Sequence, residues 1–132
     1  MDIDLVEEIL MEVKTIAVVG CSSNPTKTAH QVPKYLQEKG YKIIPINPTA
    51  KEILGEKVMS TLNELNERVD LVLVFRPSEE TPIVTKQAIN QTKYIWFQLG
   101  IYNEEAEEIA KAAGIPIIMD KCIMVEHKNL FD

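Results

Sequence analysis

The sequence predicts a three-layer α/β fold, with a parallel sheet of about five strands and helices packed on both faces. Three observations predict it. Short apolar runs rich in Val and Ile recur along the 132 residues, as expected of strands buried on both faces. Segments with helical apolar spacing alternate with them, which is the pattern of crossover connections. The first such run, Ile16-Ala-Val-Val-Gly20, ends in a glycine, then short polar residues, then Lys27 and a helical pattern. That order presents backbone N–H groups and a helix N-terminus to a phosphate.

The elements follow in order. Ile3, Val6, Ile9, Leu10 and Val13 define an amphipathic first helix, and Thr15–Gly20 the first strand. Thr28–Lys39 reads as a helix stopped by Gly40, with Pro33 in its first turns, where proline costs least. Tyr41–Ile46 is the second strand, closed by Asn47-Pro48. Lys51–Gly55 reads as a turn, Val58-Met59 as a brief edge strand and Thr61–Glu67 as a short helix. Val69–Phe75 is a buried strand, and Ser78 is expected to cap a helix running to about Gln91. Tyr94–Phe97 is the next strand, Asn103 caps a helix to Ala113 with Gly114 as its stop, and Ile115–Met119 is the last strand.

Neither linker nor repeat interrupts this alternation, so one domain over residues 1–132 is expected, able to bury roughly two-thirds of its unfolded surface. The net charge of −6 and a pI near 5.0 argue against a broad nucleic-acid or anionic-membrane surface. No apolar stretch approaches the ~20 residues of a membrane span. The acidic start, Met1-Asp2-Ile3-Asp4, is unlike a signal peptide, so a cytoplasmic setting is expected. Cys21 and Cys122 are too few for a disulfide scaffold and lack metal-ligand spacing.

In a parallel sheet, ligands sit beyond the carboxyl ends of the strands, near the point where strand order reverses. The polar segments there are Gly20–Lys27, Asn47-Pro48, Arg76-Pro77, Gln98–Gly100 and Asp120–Cys122. Two phosphate loops are nearly spelled at the first, and both fail. Gly20, Ser22 and Pro25 occupy the three glycine positions of a dinucleotide fingerprint. Lys27-Thr28 ends a Walker A motif, but Cys21 and Thr26 stand where its glycines belong, which argues against an NTPase. After the second strand, Asn47 replaces the acid that holds the NAD ribose, which leaves NADP or coenzyme A. Alternatives stay open at single positions. Gly20 also fits a tight turn without a ligand, Lys27 and Arg76 also fit solvated surface cations, and Trp96 and Phe97 fit a core better than a stacking site.

These residues resemble the small, stand-alone coenzyme A-binding proteins of Rossmann type, related to the coenzyme A-binding domain of succinyl-coenzyme A synthetase-like enzymes. The resemblance rests on Ile16-Ala-Val-Val-Gly-Cys-Ser22, Pro25-Thr-Lys27, Pro45-Ile-Asn-Pro48 and Glu52-Ile-Leu-Gly55. It continues through Val74-Phe-Arg-Pro77, Trp96-Phe-Gln-Leu-Gly-Ile101 and Met119-Asp-Lys-Cys122, and spans about residues 14 to 130. It implies a Rossmann-like fold and coenzyme A or an acyl-coenzyme A as the bound nucleotide. It further implies that Gly20, Cys21, Ser22, Ser23 and Lys27 hold the phosphates and that Asn47 and Pro48 lie by the adenosine. Arg76, Pro77, Gln98 and Gly100 then complete the cleft, with Lys121 beyond. The position of Cys21 is more usually alanine in that family and that of Lys121 arginine; lysine keeps the charge but loses the bidentate fork.

No catalytic constellation assembles around His30 or His127, and the chain has no room for the ATP-binding partner of the larger enzymes. The first expectation is therefore a non-enzymatic carrier, sensor or accessory subunit, as monomer or homodimer. A second is thiol chemistry, with Cys21 activated by loop N–H groups and Lys27 to form a mixed disulfide with coenzyme A, and Cys122 as second candidate. A third, an NADP-dependent oxidoreductase domain, lacks a substrate-binding domain.

Overall fold

The computed structural model describes residues 4–131. Ile3, the first apolar position of the expected N-terminal helix, lies outside them. The strands are β1 (Thr15–Val19), β2 (Lys42–Ile46), β3 (Glu52–Ile53), β4 (Glu56–Lys57), β5 (Val69–Val74), β6 (Thr92–Phe97) and β7 (Ile117–Ile118). The helices are α1 (Leu5–Glu12), α2 (Thr28–Glu38), α3 (Thr81–Ala88), α4 (Glu104–Ala112) and α5 (Ile123–Phe131).

Five strands form one parallel sheet in the order β2-β1-β5-β6-β7. Alternate residues feed two cores. Ile16, Val18, Leu71, Leu73, Tyr94 and Trp96 pack against α1, α2 and α5. Ala17, Val72, Val74, Ile95 and Phe97 pack against α3 and α4. This is the three-layer Rossmann-like α/β arrangement expected. The chain moves from β1 outward to β2, then returns to the other side of β1 with β5. The order therefore reverses between β1 and β5, where Gly20 follows one strand and Phe75-Arg76 the other.

Several expectations are corrected. The turn at Lys51–Gly55 opens an antiparallel hairpin, β3-β4, because Leu54 and Gly55 both take positive φ (55° and 77°), the geometry that matches strand twist. Met59 makes a parallel bridge to Ile46 at the open edge of β2. Thr61–Glu67 shortens to one 3-10 turn, Leu62–Glu64, because Leu65 turns extended (ψ 129°) and inserts its side chain into the core. Ser78 does not cap a helix; its hydroxyl accepts from the Tyr102 N–H at 3.1 Å. A 3-10 turn, Ser78–Glu80, precedes α3, which ends at Ala88 rather than near Gln91.

Pro33 stands in the second turn of α2 and is buried. It has no N–H to give Ala29, four residues earlier. The Ala29 carbonyl instead accepts from the Ser22 N–H at 3.0 Å, so the proline frees the acceptor that anchors the loop after β1. Helix α5 was not anticipated. Its face is carried by Ile123 and His127, buried at i and i+4. The Ile123 N–H is received by Gln98 Oε1 at 3.2 Å, an acceptor 25 residues away that no local pattern reveals.

Candidate functional site

Three strand ends and the start of α2 enclose a cleft of about 530 Å³ at the reversal point. Its lining includes Gly20, Cys21, Ser22 and Lys27 from the first loop, Asn47 and Pro48 after β2, and Arg76 after β5. Ser60, Glu80 and Val84 complete the wall; sequence reading had not singled them out for this site. Ser60 and Val84 carry no local signal. Glu80 follows Arg76 at i+4, a spacing that pairs opposite charges.

Gly20 joins β1 to the loop at φ +86°, the left-handed region that glycine enters without penalty. It also lacks space for a side chain. An added Cβ would lie 2.8 Å from the Phe75 carbonyl oxygen and 3.0 Å from Arg76 Cδ. The arginine stem therefore runs directly over the turn, and its guanidinium reaches the cleft mouth.

The loop is held by its own polar atoms. Ser22 Oγ accepts from the Asn24 N–H at 3.0 Å, and Asn24 Oδ1 from the Thr26 N–H at 3.0 Å. His30 Nδ1–H donates to the Ser22 carbonyl at 2.7 Å, which fixes its tautomer and ties α2 to the loop. Asn47 Nδ2 donates to the Cys21 carbonyl at 2.9 Å, while its Oδ1 accepts from the N–H groups of Thr49 and Ala50. These bonds leave the N–H groups of Cys21, Ser23, Thr28 and Ala29 without a partner among the described residues.

Helix α2 is electrostatically unfinished. Helices α1 and α4 begin with a side-chain cap, from Asp4 and Asn103, and carry acids in their first turns. Helix α2 begins with Lys27 at its N-cap, with neither a side-chain cap nor an acid in the first turn. A cation at the positive end of a helix dipole is unfavourable until an anion joins it.

Cys21 reverses the expectation of an activated thiol. Its side chain points away from the solvent, wholly buried against Val32, Leu36 and Ile43 in the core beneath the loop. Burial pushes the thiol up to about 12, opposed only by a hydrogen bond from the Ser22 backbone. Loss of hydration disfavours the thiolate more than the loop N–H groups favour it. Cys122 is half-buried immediately before α5, packed against the same core cluster as Cys21.

The remaining candidates lie elsewhere. Ser23 is exposed on the loop without lining the cleft, and Pro77 starts the turn before α3. Gln98 is 6% exposed, and its Oε1 accepts from the first N–H of α5. The Gly100 N–H donates to Asp120 Oδ1 at 2.7 Å. Lys121 accepts at its carbonyl from Trp96 Nε1 (2.9 Å) and lines a separate groove with Asp4, Tyr102, Glu107 and Asp120, beside β7. Trp96 and Phe97 are core residues. Among the described residues, no helix is long and apolar enough to cross a membrane.

Comparison with known proteins follows the same lines. A family model described as a CoA binding domain matches residues 14–128. The uncharacterized protein YneT of Bacillus subtilis is 46% identical over 123 residues, covering 92% of this chain and 91% of that one. The ADP-forming acetate–CoA ligase of Methanocaldococcus jannaschii is 31% identical over 128 residues, covering 89% of this chain. The match spans 18% of that ligase's length, so this chain corresponds to one part of it. Among solved structures, "cell-free ID.343" from Thermus thermophilus superposes with a TM-score of 0.93 at 40% identity, covering 99% of this chain and 100% of that one.

Proposed function

Since this chain belongs to the CoA binding domain family, we propose that it binds coenzyme A or an acyl-coenzyme A in the cleft at the β1/β5 reversal point, as a single-domain carrier, sensor or accessory subunit. The observation that carries the reading is the start of α2. An uncapped helix N-terminus with a lysine at its N-cap opens into the cleft beside an arginine. That arrangement lacks only an anion. In this reading the free N–H groups of Cys21 and Ala29, both on the cleft lining, meet the phosphates, and Lys27 adds a charge-assisted contact. Asn47 shapes the loop, and Pro48 and Arg76 form the walls. Asn47 in place of an acid leaves room for a phosphorylated ribose, which separates coenzyme A from NAD.

Calorimetric titration with coenzyme A, acetyl-coenzyme A, NADP and NAD tests the reading. Coenzyme A or its acetyl ester is expected to bind and NAD not; binding of NADP without coenzyme A would overturn it. Lys27→Ala is expected to weaken coenzyme A about tenfold or more, the loss of one charged hydrogen bond. Lys27 is exposed and its charge opposes the dipole of α2, so the unfolding midpoint should hold or rise slightly. A variant that binds normally removes Lys27 from the site, and one that unfolds makes it structural.

A further inference from the structure

Glu80 is the one carboxylate on the cleft lining, and it is closed on Arg76. Arg76 Nε donates to Oε1 at 3.1 Å, and Nη2 donates to Oε1 at 2.9 Å and Oε2 at 3.0 Å. The carboxylate thus covers an edge of the guanidinium that two oxygens of a phosphate would also take. Glu80 occupies the N-cap position of α3, yet it makes no bond to that helix's N–H groups. With the pair closed, Lys27 is the only uncompensated cation among the lining residues. The two side chains are 44% and 47% exposed, so the pair is weak enough to open.

We propose that Glu80 is an internal competitor for an anion-binding arginine: Arg76 rests on Glu80 in the empty cleft and passes to a ligand phosphate when one arrives. Handover requires the ligand to attract the guanidinium more strongly than a carboxylate does. A phosphate dianion or diphosphate meets that condition, and a small monocarboxylate does not. Glu80 therefore lowers the affinity for every anion by the same opening cost, which leaves weak anions at low occupancy while a strong one still binds. The ligand's identity rests on the coenzyme A reading above; the competition itself needs only a phosphate.

The test compares the full chain with Glu80→Gln, titrating coenzyme A and, separately, inorganic diphosphate and acetate at low ionic strength. Removing the competitor is expected to tighten both phosphate ligands about three- to tenfold, the scale of an exposed pair plus relief of like-charge repulsion. Acetate gains the pairing factor and less of the repulsion relief, so the preference for diphosphate over acetate should hold or widen. Equal or weaker phosphate binding by Glu80→Gln overturns the proposal, because Glu80 would then be positioning Arg76. Diphosphate binding without coenzyme A binding overturns the coenzyme A reading alone, and the competition is then judged on diphosphate. No binding of either phosphate by either protein overturns both. Thermal unfolding checks that the fold is kept, and Glu80→Ala repeats the comparison should the glutamine variant misfold.

Discussion

At the scale of single residues, Gly20 is constrained twice where the other glycines are constrained once. All five take positive φ, but only Gly20 has neighbours within 4 Å of an added Cβ. Gly20→Ala must therefore accept a left-handed backbone and push against the Phe75 carbonyl. A loss of about 1–3 kcal/mol is expected in urea unfolding, together with displacement of Arg76 and weaker coenzyme A binding. Gly40→Ala, with open space around it, should cost only the conformational part. Equal losses in the two variants would refute the close-approach account. The glycine itself was legible in sequence as the end of an apolar run, but its collision partner, 55 residues away at Phe75, was not. Cys21 shows the opposite case. Its neighbours in sequence suggest a thiolate, but its neighbours in space are Val32, Leu36 and Ile43, and they decide the chemistry.

At the scale of elements, local patterns identified the helices and strands whose signals are contained within them. Helix α4 starts at Asn103, whose side chain accepts from the Ala106 N–H at 2.9 Å, as its sequence announces. Helix α5 is anchored at its first N–H by Gln98 across the loop, a contact that no local pattern carries. Helix α1 is tied to the sheet in the same long-range manner. The Tyr94 hydroxyl, on β6, shares its one proton between Glu8 Oε2 and Glu12 Oε2, each at 2.9 Å, and Lys93 pairs with Glu12. Burial, with the two carboxylates, holds the Tyr94 phenol above its ordinary range. Tyr94→Phe keeps the ring and removes the tie. It is expected to cost about 1–2 kcal/mol and to speed amide hydrogen exchange in α1 while β1 and β5 stay protected. Unchanged exchange in α1 would show that apolar packing of Ile9 and Leu10 holds the helix alone.

At the scale of the whole molecule, acid sensitivity follows from two exposed glutamates. The hydrogen bond from Lys93, then that from Tyr94, holds the Glu12 carboxyl below its ordinary 4.5. Hydrogen bonds from Ser60, then Thr61, do the same for Glu64. A carboxylate lowered in the folded state contributes stability above its unfolded pKa, and that contribution fades as pH falls through the folded value. The urea midpoint should thus be level from neutrality to about pH 5 and decline below about pH 4.5. A midpoint unchanged down to about pH 3 would mean these bonds do not favour the folded state.

Apolar periodicity and the order of segments determined, from the sequence alone, a parallel five-stranded sheet, helices on both its faces and a glycine-led polar loop after the first strand. Those features rest on neighbours a few residues apart, where side-chain spacing is set by backbone geometry. Which loops share a site was decided only by tertiary structure. β1 lies between β2 and β5, so Gly20, Asn47 and Arg76 converge, whereas β6 and β7 carry Gln98, Gly100 and Lys121 away from the cleft lining. The pairing of Arg76 with Glu80 was available to sequence as a spacing, but its position over Gly20 came only from the adjacency of β1 and β5. Strand adjacency is a long-range packing outcome, because it depends on which apolar faces can be covered together rather than on any one segment's pattern.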